Sequence, residues 1–461
     1  MNDDWQNDQL ELAFAPVAEG EARSEGLEGT ESLTAKDGNE SLAEERLMEE
    51  VLNRENLKKA LERVQGNKGS PGVDGMKVGE LSGHLRKHWP KLREHLLNGR
   101  YRPQPVLRKE IKKRDGGGMR QLGIPTVRDR FLQQALHQVL QERWDASFSE
   151  HSYGFRPNRQ AHQAVAAAQR YIREGYDWVV DIDLEKFFDR VNHDRLMSRV
   201  ADRVKDKRVL KLIRAFLNAG VMEAGLVSPT NEGTPQGGPL SPLLSNLVLD
   251  ELDRELEQRG HRFCRYADDC NIYVRTERAG HRVMKSISGF ITNKLRLKVN
   301  KEKSAVDRPG RRKFLGFRLT NGMSSKRCIA ALSQQRFRAQ VRRLTSRRAG
   351  RSVDDIVERL NLYLAGWKGY YQFCQTPSVL RNMDSWIRRR LRQIIWVQWK
   401  THRRRYRKLR RLGVSTTLAG STMVSTHGPW RISRSPALHI ALSDAYFRSL
   451  GLVFLASGPH A

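Results

Sequence analysis

The spacing of apolar residues predicts helices over much of the chain. Between Glu44 and Val64 the apolar positions recur every three or four residues, which indicates two short helices. The same spacing predicts helices over Leu81–Leu97, Arg128–Arg143 and Pro239–Leu256. The segment Gly66–Gly75 lies between the predicted helices of residues 44–64 and the helix Leu81–Leu97. It is rich in turn-forming residues such as glycine, proline and asparagine and is expected to be a loop.

Shorter apolar or alternating runs bounded by turn residues predict strands. Two of these runs flank a glycine-rich turn and form a basic hairpin, a third ends in carboxylates, and a fourth encloses a turn that contains two aspartates. The predicted strand regions are Val106–Lys112, Met119–Pro125, Trp178–Asp183, Arg262–Val274 and Lys313–Leu319.

After about Ser324 the chain becomes helical and very basic. Helices are predicted over Val353–Tyr371 and Trp386–Trp399, and residues 381–412 hold 13 Lys/Arg but one acid, Asp384. Along Trp386–Trp399 the basic residues fall mostly opposite the aliphatic ones. We therefore expect RNA phosphates to contact Arg388, Arg389, Arg390 and Arg392. The aromatic residues stack on RNA bases or belong to the core; for Trp367, Trp386 and Trp396 the core is favoured.

The charge of the chain points to a polyanionic partner. The formal net charge is +31 and the sequence pI is about 10.4. Residues 1–50 contain 15 acidic and three basic residues, a net charge of −12, so the other 411 residues carry +43. A basic surface of that size favours nucleic acid over a generic basic protein. The acidic residues 1–45 are expected to form a disordered extension that solubilises the chain or shields its basic part.

Cysteine spacing and hydropathy exclude several other classes of protein. The four cysteines show no C-x-x-C spacing, so neither a zinc site nor a disulfide framework is indicated. The chain begins with the wrong charge for a secretory signal and contains no apolar run of about 18 residues. We expect a cytoplasmic protein with no membrane contact.

Carboxylates at two of the predicted strand ends are candidates for catalysis. Asp183 ends an apolar strand, and Asp268 and Asp269 lie at the tip of a predicted hairpin. Each is an ordinary turn signal by itself. Neighbouring strands of one sheet would bring them together, and nucleotidyl transfer uses two divalent ions about 3.5–4 Å apart. Mg²⁺ prefers such oxygen ligands.

The order of five motifs gives these carboxylates a context. Tyr266–Asp269 resembles the Y-x-D-D motif of reverse transcriptases. Segments that resemble the other conserved blocks of that family occur in the expected order: Asp183–Asp189 with the first catalytic aspartate, Gly233–Pro242 with the Q-G-x-x-x-S-P motif, then Leu297–Lys303 and Phe314–Phe317. The resemblance covers roughly residues 50 to 455.

Further segments resemble the reverse transcriptase/maturases of bacterial group II introns. Asn67–Gly75 is similar to the extra N-terminal block of that family, Tyr153–Pro157 to the segment before the first aspartate, and Asn361–Tyr371 to the maturase thumb. Gly428–Arg431 and Ala445–Phe447 resemble the C-terminal tail of its short members. The chain ends at Ala461 without the paired cysteines of a C-terminal nuclease, so the short form is expected.

The resemblance implies an α+β fold: a right-hand polymerase with fingers, a palm with an antiparallel sheet and a thumb, followed by a basic helical maturase domain. Its implied divisions are an acidic extension (1–45), fingers and palm (46–325), the thumb or maturase X domain (326–412), and a C-terminal tail that is a possible DNA-binding region (413–461).

The resemblance also implies roles for individual residues. Asp183, Asp268 and Asp269 would be the catalytic carboxylates that hold two Mg²⁺ ions, with the carbonyl of Leu184 as a further ligand. Lys113 and Arg120 of the basic hairpin would clamp the triphosphate of the dNTP. Because Gly116–Gly118 supplies three glycines where two are common, Lys112 is an alternative to Lys113.

Three more residues are expected at the nucleotide. Phe188 would block a 2′-hydroxyl, with Phe187 as its core partner or as the alternative gate. Gln236 would lie against the incoming nucleotide or the template. Lys303 would approach the triphosphate or would be a solvated lysine.

The implied function is RNA-directed DNA synthesis together with a maturase role in intron splicing and mobility. Its partners would be an RNA template, the parent group II intron RNA, and a DNA primer or target. One alternative is a domesticated relative that acts in DNA repair or phage defence. The other is a non-catalytic RNA-binding splicing factor. The oligomeric state is not predicted.

Overall fold

The computed structural model describes residues 46–112, 118–223, 226–228, 232–234, 237–347 and 350–456. The chain forms two units, one from residues up to 164 together with 180–306, and one from 165–179 together with 307 onward. The expected start of the thumb at residue 326 stays a prediction. In the part of the chain given above, no helix is both long and apolar enough to cross a membrane.

The elements up to residue 306 are a mixture of helices and strands, as the sequence predicts. In chain order they are α1 (Leu47–Val51), α2 (Arg54–Gly66), α3 (Leu81–Leu97), β1 (Val106–Lys112), β2 (Met119–Ile124), α4 (Val127–Trp144), α5 (Ala161–Arg173), β3 (Trp178–Ile182), α6 (Phe187–Arg190), α7 (His193–Arg203), α8 (Lys207–Leu217), β4 (Val221–Glu223), β5 (Leu226–Ser228), α9 (Ser241–Gln258), β6 (Arg262–Tyr266), β7 (Asp269–Val274), α10 (Glu277–Asn293) and β8 (Ala305–Asp307).

Local sequence explains where these helices begin. The side chain of Asn53 accepts a hydrogen bond from the backbone N–H of Glu55 and caps α2. Thr126 caps α4 in the same way through the N–H of Asp129. The α4 face with Phe131, Leu132 and other apolar residues is buried, as its helical spacing predicts.

Two four-stranded sheets organise this part of the chain. The first has the order β2-β1-β4-β5, and its β1–β2 hairpin is antiparallel with Leu107 opposite Ile124 and Lys112 opposite Met119. The second has the order β6-β7-β3-β8. The predicted basic hairpin and the neighbouring positions of β3 and β7 are thereby confirmed.

The second unit is mainly helical. It contains the antiparallel pair β9 (Phe317–Leu319) and β10 (Arg327–Ile329). The helices that follow are α11 (Ala331–Leu344), α12 (Val353–Tyr371), α13 (Pro377–Gln398), α14 (His402–Arg411), α15 (Thr416–Met423), α16 (Pro429–Ile432), α17 (Pro436–Ala441) and α18 (Asp444–Ser449).

The C-terminal segment belongs to the core of this unit. Leu438, Phe447 and Leu455 are buried in the same cluster as Leu360 and Leu391. Apolar burial of this kind joins residues 413–456 to the preceding helices. The described part of the expected tail is therefore packed into the helical unit.

The strand expected over Lys313–Leu319 is mostly wrong. Only Phe317–Leu319 is a strand, because the chain turns at Leu315 (φ 50°) and Gly316 (φ 83°) and pairs Phe314 with Phe317. A left-handed turn inside an apolar run leaves no periodicity that would reveal it. A Cβ at position 316 would lie 2.6 Å from the Tyr371 hydroxyl, so this glycine also permits close packing.

Candidate active site

The end of β3 is fixed by a neighbouring segment of the chain. The N–H of Asp183 donates to the Ser304 hydroxyl at 3.0 Å, and the Asp183 carbonyl accepts from the N–H of Asn300 at 2.8 Å. The N–H of Glu185 donates to the carbonyl of Lys298 at 2.8 Å. These bonds hold the backbone of residues 183–185 in one place beside residues 298–300.

The same bonds orient the carbonyl of Leu184. Leu184 is paired with Val299 in an antiparallel bridge whose hydrogen bonds are made by the residues on either side. In such a pair the central residue directs its own N–H and C=O away from the partner segment. The Leu184 carbonyl therefore points toward the β7 side of β3, where a metal ligand is expected.

The other two carboxylates occupy the β6–β7 turn. Tyr266 is opposite Asp269, and Ala267 adopts a left-handed conformation with φ 57° between them. Gly280 lies beside both Val180 and Val274, and Asp181 acts electrostatically on the thiol of Cys270. β7 is the neighbour of β3 in the sheet, and Asp269 is the first residue of β7.

A buried arginine holds this turn. The guanidinium of Arg265 donates to both carboxylate oxygens of Asp253, the shortest contact being 2.6 Å, and to the carbonyl of Ala267 at 3.1 Å. It also contacts Asn246 at 3.0 Å and Ser152 at 2.7 Å. Burial alone would lower the pKa of Arg265, but the Asp253 carboxylate raises it above its ordinary value. The buried guanidinium therefore stays charged.

Gly154 completes the support of the turn. Its carbonyl accepts from the side-chain amide of Asn246 at 2.9 Å, and a Cβ at this position would lie 2.3 Å from the backbone nitrogen of Ala267. The resemblance of Tyr153–Pro157 drew attention to the segment. The interior roles of Arg265, Asp253 and Asn246 were not predicted, since an arginine in a strand gives no sequence signal of burial.

A cavity of about 510 Å³ lies in the same unit. That volume falls within the range of roughly 300–1,000 Å³ found for ligand sites. Its walls come from β2, α4, the start of α9 and the loop after α2. The lining includes Asn67, Leu122, Arg130, Gln134, Phe155, Phe188, Gly237, Gly238 and Ser241.

The two phenylalanines after Asp183 differ in burial. Phe187 is buried, whereas Phe188 is half-buried and lines the cavity, with the ring centroids 5.3 Å apart. The Phe188 carbonyl accepts from the N–H of Thr234 at 2.6 Å, which ties the wall to the segment before Gly237. This placement favours Phe188 as the gate and Phe187 as its core partner.

Glycines allow the cavity walls to approach one another. A Cβ at Gly237 would lie 2.6 Å from the carbonyl oxygen of Gly123, and one at Gly238 would lie 2.3 Å from the Gln133 side chain. Arg130 donates to the carbonyl of Ser70 at 2.6 Å, so the loop after α2 is also bonded to this wall. The Gly233–Pro242 motif therefore serves close packing in the part that the structure describes.

The strand register places Lys112, one of the two candidate lysines, on the β1–β2 hairpin. Leu122 lines the cavity and pairs with Lys109, so Lys112, three residues further along β1, lies on the other face of the hairpin. This disfavours Lys112 as a cavity residue. Lys113 and Gln236 lie outside the described residues, and for Arg120 the structure gives the backbone pairing with Ile111.

Lys303 lies beside the first aspartate. Its ammonium is 3.7 Å from a carboxylate oxygen of Asp183 and its side chain is largely exposed. Lys303 therefore sits at the carboxylate end of β3, close to where the triphosphate was expected.

The donor set fits Mg²⁺ that is shared with a substrate. Among the residues described, no group of three or more His, Cys, Asp or Glu side chains is placed to hold a metal ion. Polymerase sites do not need one, because Mg²⁺ there binds one or two carboxylates and completes its shell with phosphate oxygens and water. Asp183, Asp268 and the Leu184 carbonyl are oxygen donors of the type that Mg²⁺ prefers.

The expected arginine face on α13 is largely occupied by the protein itself. Arg392 is buried and donates to the carbonyl of Leu442 at 3.0 Å, and Arg388 contacts Asp444 at 2.8 Å. Arg390 donates to the Thr345 hydroxyl at 2.7 Å.

The RNA-contact prediction is therefore wrong for Arg392, and Arg388 has a carboxylate partner. The C-terminal helices cover this side of α13, which periodicity within one helix does not reveal. Trp367 and Trp396 are buried, so their core assignment is confirmed. Trp386 is half-buried and packs against the same cluster, with the guanidinium groups of Arg342 and Arg390 over its ring.

Two family profiles match the chain. Residues 111–319 match "Reverse transcriptase (RNA-dependent DNA polymerase)", and residues 334–413 match "Group II intron, maturase-specific domain". Protein YkfC of Escherichia coli is 32% identical over 350 residues, which covers 66% of this chain and 92% of YkfC. The chain belongs to the group II intron reverse transcriptase/maturase family. It is thereby an RNA-directed DNA polymerase of that family with a maturase domain.

Other relatives match over smaller shares of their length. Group II intron-encoded protein LtrA of Lactococcus lactis is 36% identical over 206 residues, which covers 45% of this chain and 34% of LtrA. A chain of a partial Cas6-RT-Cas1–Cas2 complex aligns at 26% identity over 54% of this chain and 42% of its own length, with a TM-score of 0.35. The chain thus spans about a third of LtrA, and what LtrA does as a whole is not carried over.

Proposed function

We propose that this group II intron reverse transcriptase extends a primer on an RNA template with dNTPs, using Asp183, Asp268 and Asp269 as its metal-binding carboxylates. The observation that carries the proposal is the position of β7 next to β3 in one sheet, because Asp183 follows β3 and Asp269 begins β7. The Leu184 carbonyl, directed toward β7, supplies a further oxygen.

Bound Mg²⁺ would stabilise charge on the triphosphate and activate the primer 3′ oxygen. The protein's own residues position the carboxylates and restrict the space for the ribose. The Arg265 network fixes the turn before Asp268, and Phe188 narrows the cavity where a ribose would lie. Lys303 offers a point charge to the triphosphate, and Lys113 and Arg120 are proposed to clamp it, with Gln236 against the nucleotide or template.

The RNA partner of the second unit is proposed on charge. Residues 381–412 carry 13 Lys/Arg and one acid, and α14 presents several of these at exposed positions. An RNA template and the parent intron RNA are the proposed ligands, and splicing and mobility of that intron are the proposed uses. A domesticated role in repair or defence uses the same site and is separated from the mobile role by the presence of an intron around the gene.

Primer extension tests the polymerase proposal. The full chain is supplied with Mg²⁺, dNTPs and a primer annealed to RNA, and is compared with Asp268→Ala and with the matched control Glu277→Ala, an exposed acid on α10. Extension by the native and control chains alone supports the site. Extension by Asp268→Ala would overturn it, and RNA binding without extension by any chain would support a non-catalytic splicing factor.

A further inference from the structure

A second cavity, of about 520 Å³, lies in the helical unit. It is formed where α13 is covered by the segment from α15 to the start of α17. Its polar lining is cationic or hydroxylic and contains no carboxylate. The lining is Arg389, Ser421, Thr422, Ser425, His427, Trp430, Arg431, Ile432, Arg434 and Ser435.

Arg389 and Trp430 form a stacked pair in this cavity. The guanidinium carbon of Arg389 lies 3.7 Å from the centroid of the Trp430 ring, and its nitrogens donate to the Trp430 carbonyl at 3.0 Å and the Ser433 hydroxyl at 3.3 Å. The buried Ile432 anchors the same turn in the core. The ring is thus held by its own backbone, yet it remains 37% exposed. A fixed, exposed aromatic ring is a stacking surface for a base.

Three arginines converge on the cavity. Arg431 and Arg434 are exposed, and neither shows an ion pair within the described residues. Burial and the nearby charge of Arg434 both lower the pKa of Arg389. Like charges that face one opening repel unless an anion is bound between them, and guanidinium groups suit phosphate oxygens.

We propose that this cavity, the Trp430 pocket, binds one unpaired nucleotide of a nucleic-acid strand, with its base on the Trp430 ring and its phosphate between Arg431 and Arg434. The hydroxyls of Ser421 and Ser425 are placed to contact the sugar or base edge. The ligand is a nucleotide in single-stranded form, because a paired base cannot present its face to a ring. Both intron RNA and target DNA supply such nucleotides. The pocket acts independently of the proposed polymerase site.

Fluorescence anisotropy of the full chain with labelled 15-nucleotide single strands tests the pocket. The probes are an RNA, a DNA of the same sequence, and a DNA in which every base is replaced by an abasic sugar. Stacking of one base is worth about 1–3 kcal/mol, so Trp430→Leu should bind the base-containing strands roughly five-fold to 150-fold more weakly. It should bind the abasic strand as the native chain does, and Trp430→Phe should restore most of the affinity.

Charge is tested separately. Arg434→Gln should weaken binding of all three strands more than Arg278→Gln, a matched exposed arginine on α10 that lies outside the pocket and outside residues 381–412. If Trp430→Leu weakens binding of the RNA strand alone, the nucleotide in the pocket is an RNA nucleotide. If Trp430→Leu weakens binding of the RNA and DNA strands alike, the pocket accepts either.

Equal affinities of Trp430→Leu and native chain for every strand, or an Arg434→Gln effect no larger than the control, would overturn the proposal. Primer extension at saturating template reports on the polymerase site alone. It should be unchanged in Trp430→Leu, so a failure of the pocket is distinguishable from a failure of the active site.

Discussion

Replacing Arg265 with methionine would remove a guanidinium that donates hydrogen bonds to Asp253, Asn246, Ala267 and Ser152. Methionine has a similar length, so the change removes charge and donors more than volume. The Asp253 carboxylate, fully buried, would then have lost its cation. Breaking a buried pair in this way costs about 3–5 kcal/mol, a large share of the roughly 5–15 kcal/mol that stabilises a typical domain.

Urea unfolding monitored by circular dichroism measures the loss in the free energy of unfolding. The value is taken from the first unfolding transition. A second variant, Arg265→Met combined with Asp253→Leu, leaves no buried charge and should recover much of the stability. Its primer extension should still be impaired, because the Ala267 carbonyl and the turn before Asp268 remain without the guanidinium. A loss below about 1 kcal/mol in the single variant, or a double variant less stable than the single, would refute the reasoning.

Three other predictions concern the turn, the gate and a surface pair. Gly154→Ala should displace the Ala267 backbone and lower both stability, by about 1–3 kcal/mol, and primer extension, with RNA affinity retained; normal extension would contradict the close approach. Phe188→Ala should admit ribonucleotides and reduce the preference for dNTPs by roughly ten-fold or more in single-nucleotide incorporation; unchanged selectivity would move the gate elsewhere. A hydrogen bond from Arg208 lowers the pKa of Glu49 below its ordinary 4.5, so the stability that this pair adds is complete above that pH and is lost as the pH falls through the lowered pKa. Urea midpoints at pH 6 and pH 3 should differ less in Arg208→Gln than in the native chain, and an equal difference would exclude the pair as a contributor.

Helices whose apolar residues recur at a regular spacing were predictable from the sequence. The helices α3 and α12 have the predicted bounds, Leu81–Leu97 and Val353–Tyr371, because their apolar stripes are regular and their ends are marked. The hairpin around Tyr266–Asp269 followed from two short apolar runs and a turn. Family motifs then indicated which carboxylates belong to one site.

What the sequence did not reveal depends on contacts between distant segments. Arg265 and Arg392 are both buried, although arginine is usually exposed, because each meets oxygens supplied from far along the chain. The packing of residues 413–456 onto α13 buries Arg392, which was expected to contact RNA. The turn at Leu315–Gly316 was missed because both flanking residues are apolar.

The central claim is that carboxylates from β3 and from the β6–β7 turn form one metal site. Single-nucleotide incorporation on an RNA template across an Mg²⁺ titration tests it with Asp183→Asn, Asp268→Asn and the double variant. Loss of a metal ligand should cost about 4 kcal/mol or more, about 10³-fold in rate, with template affinity unchanged. If the two residues act as one site, the double variant should be no slower than either single variant. Losses that multiply in the double variant, or near-native incorporation by either single variant, would contradict it.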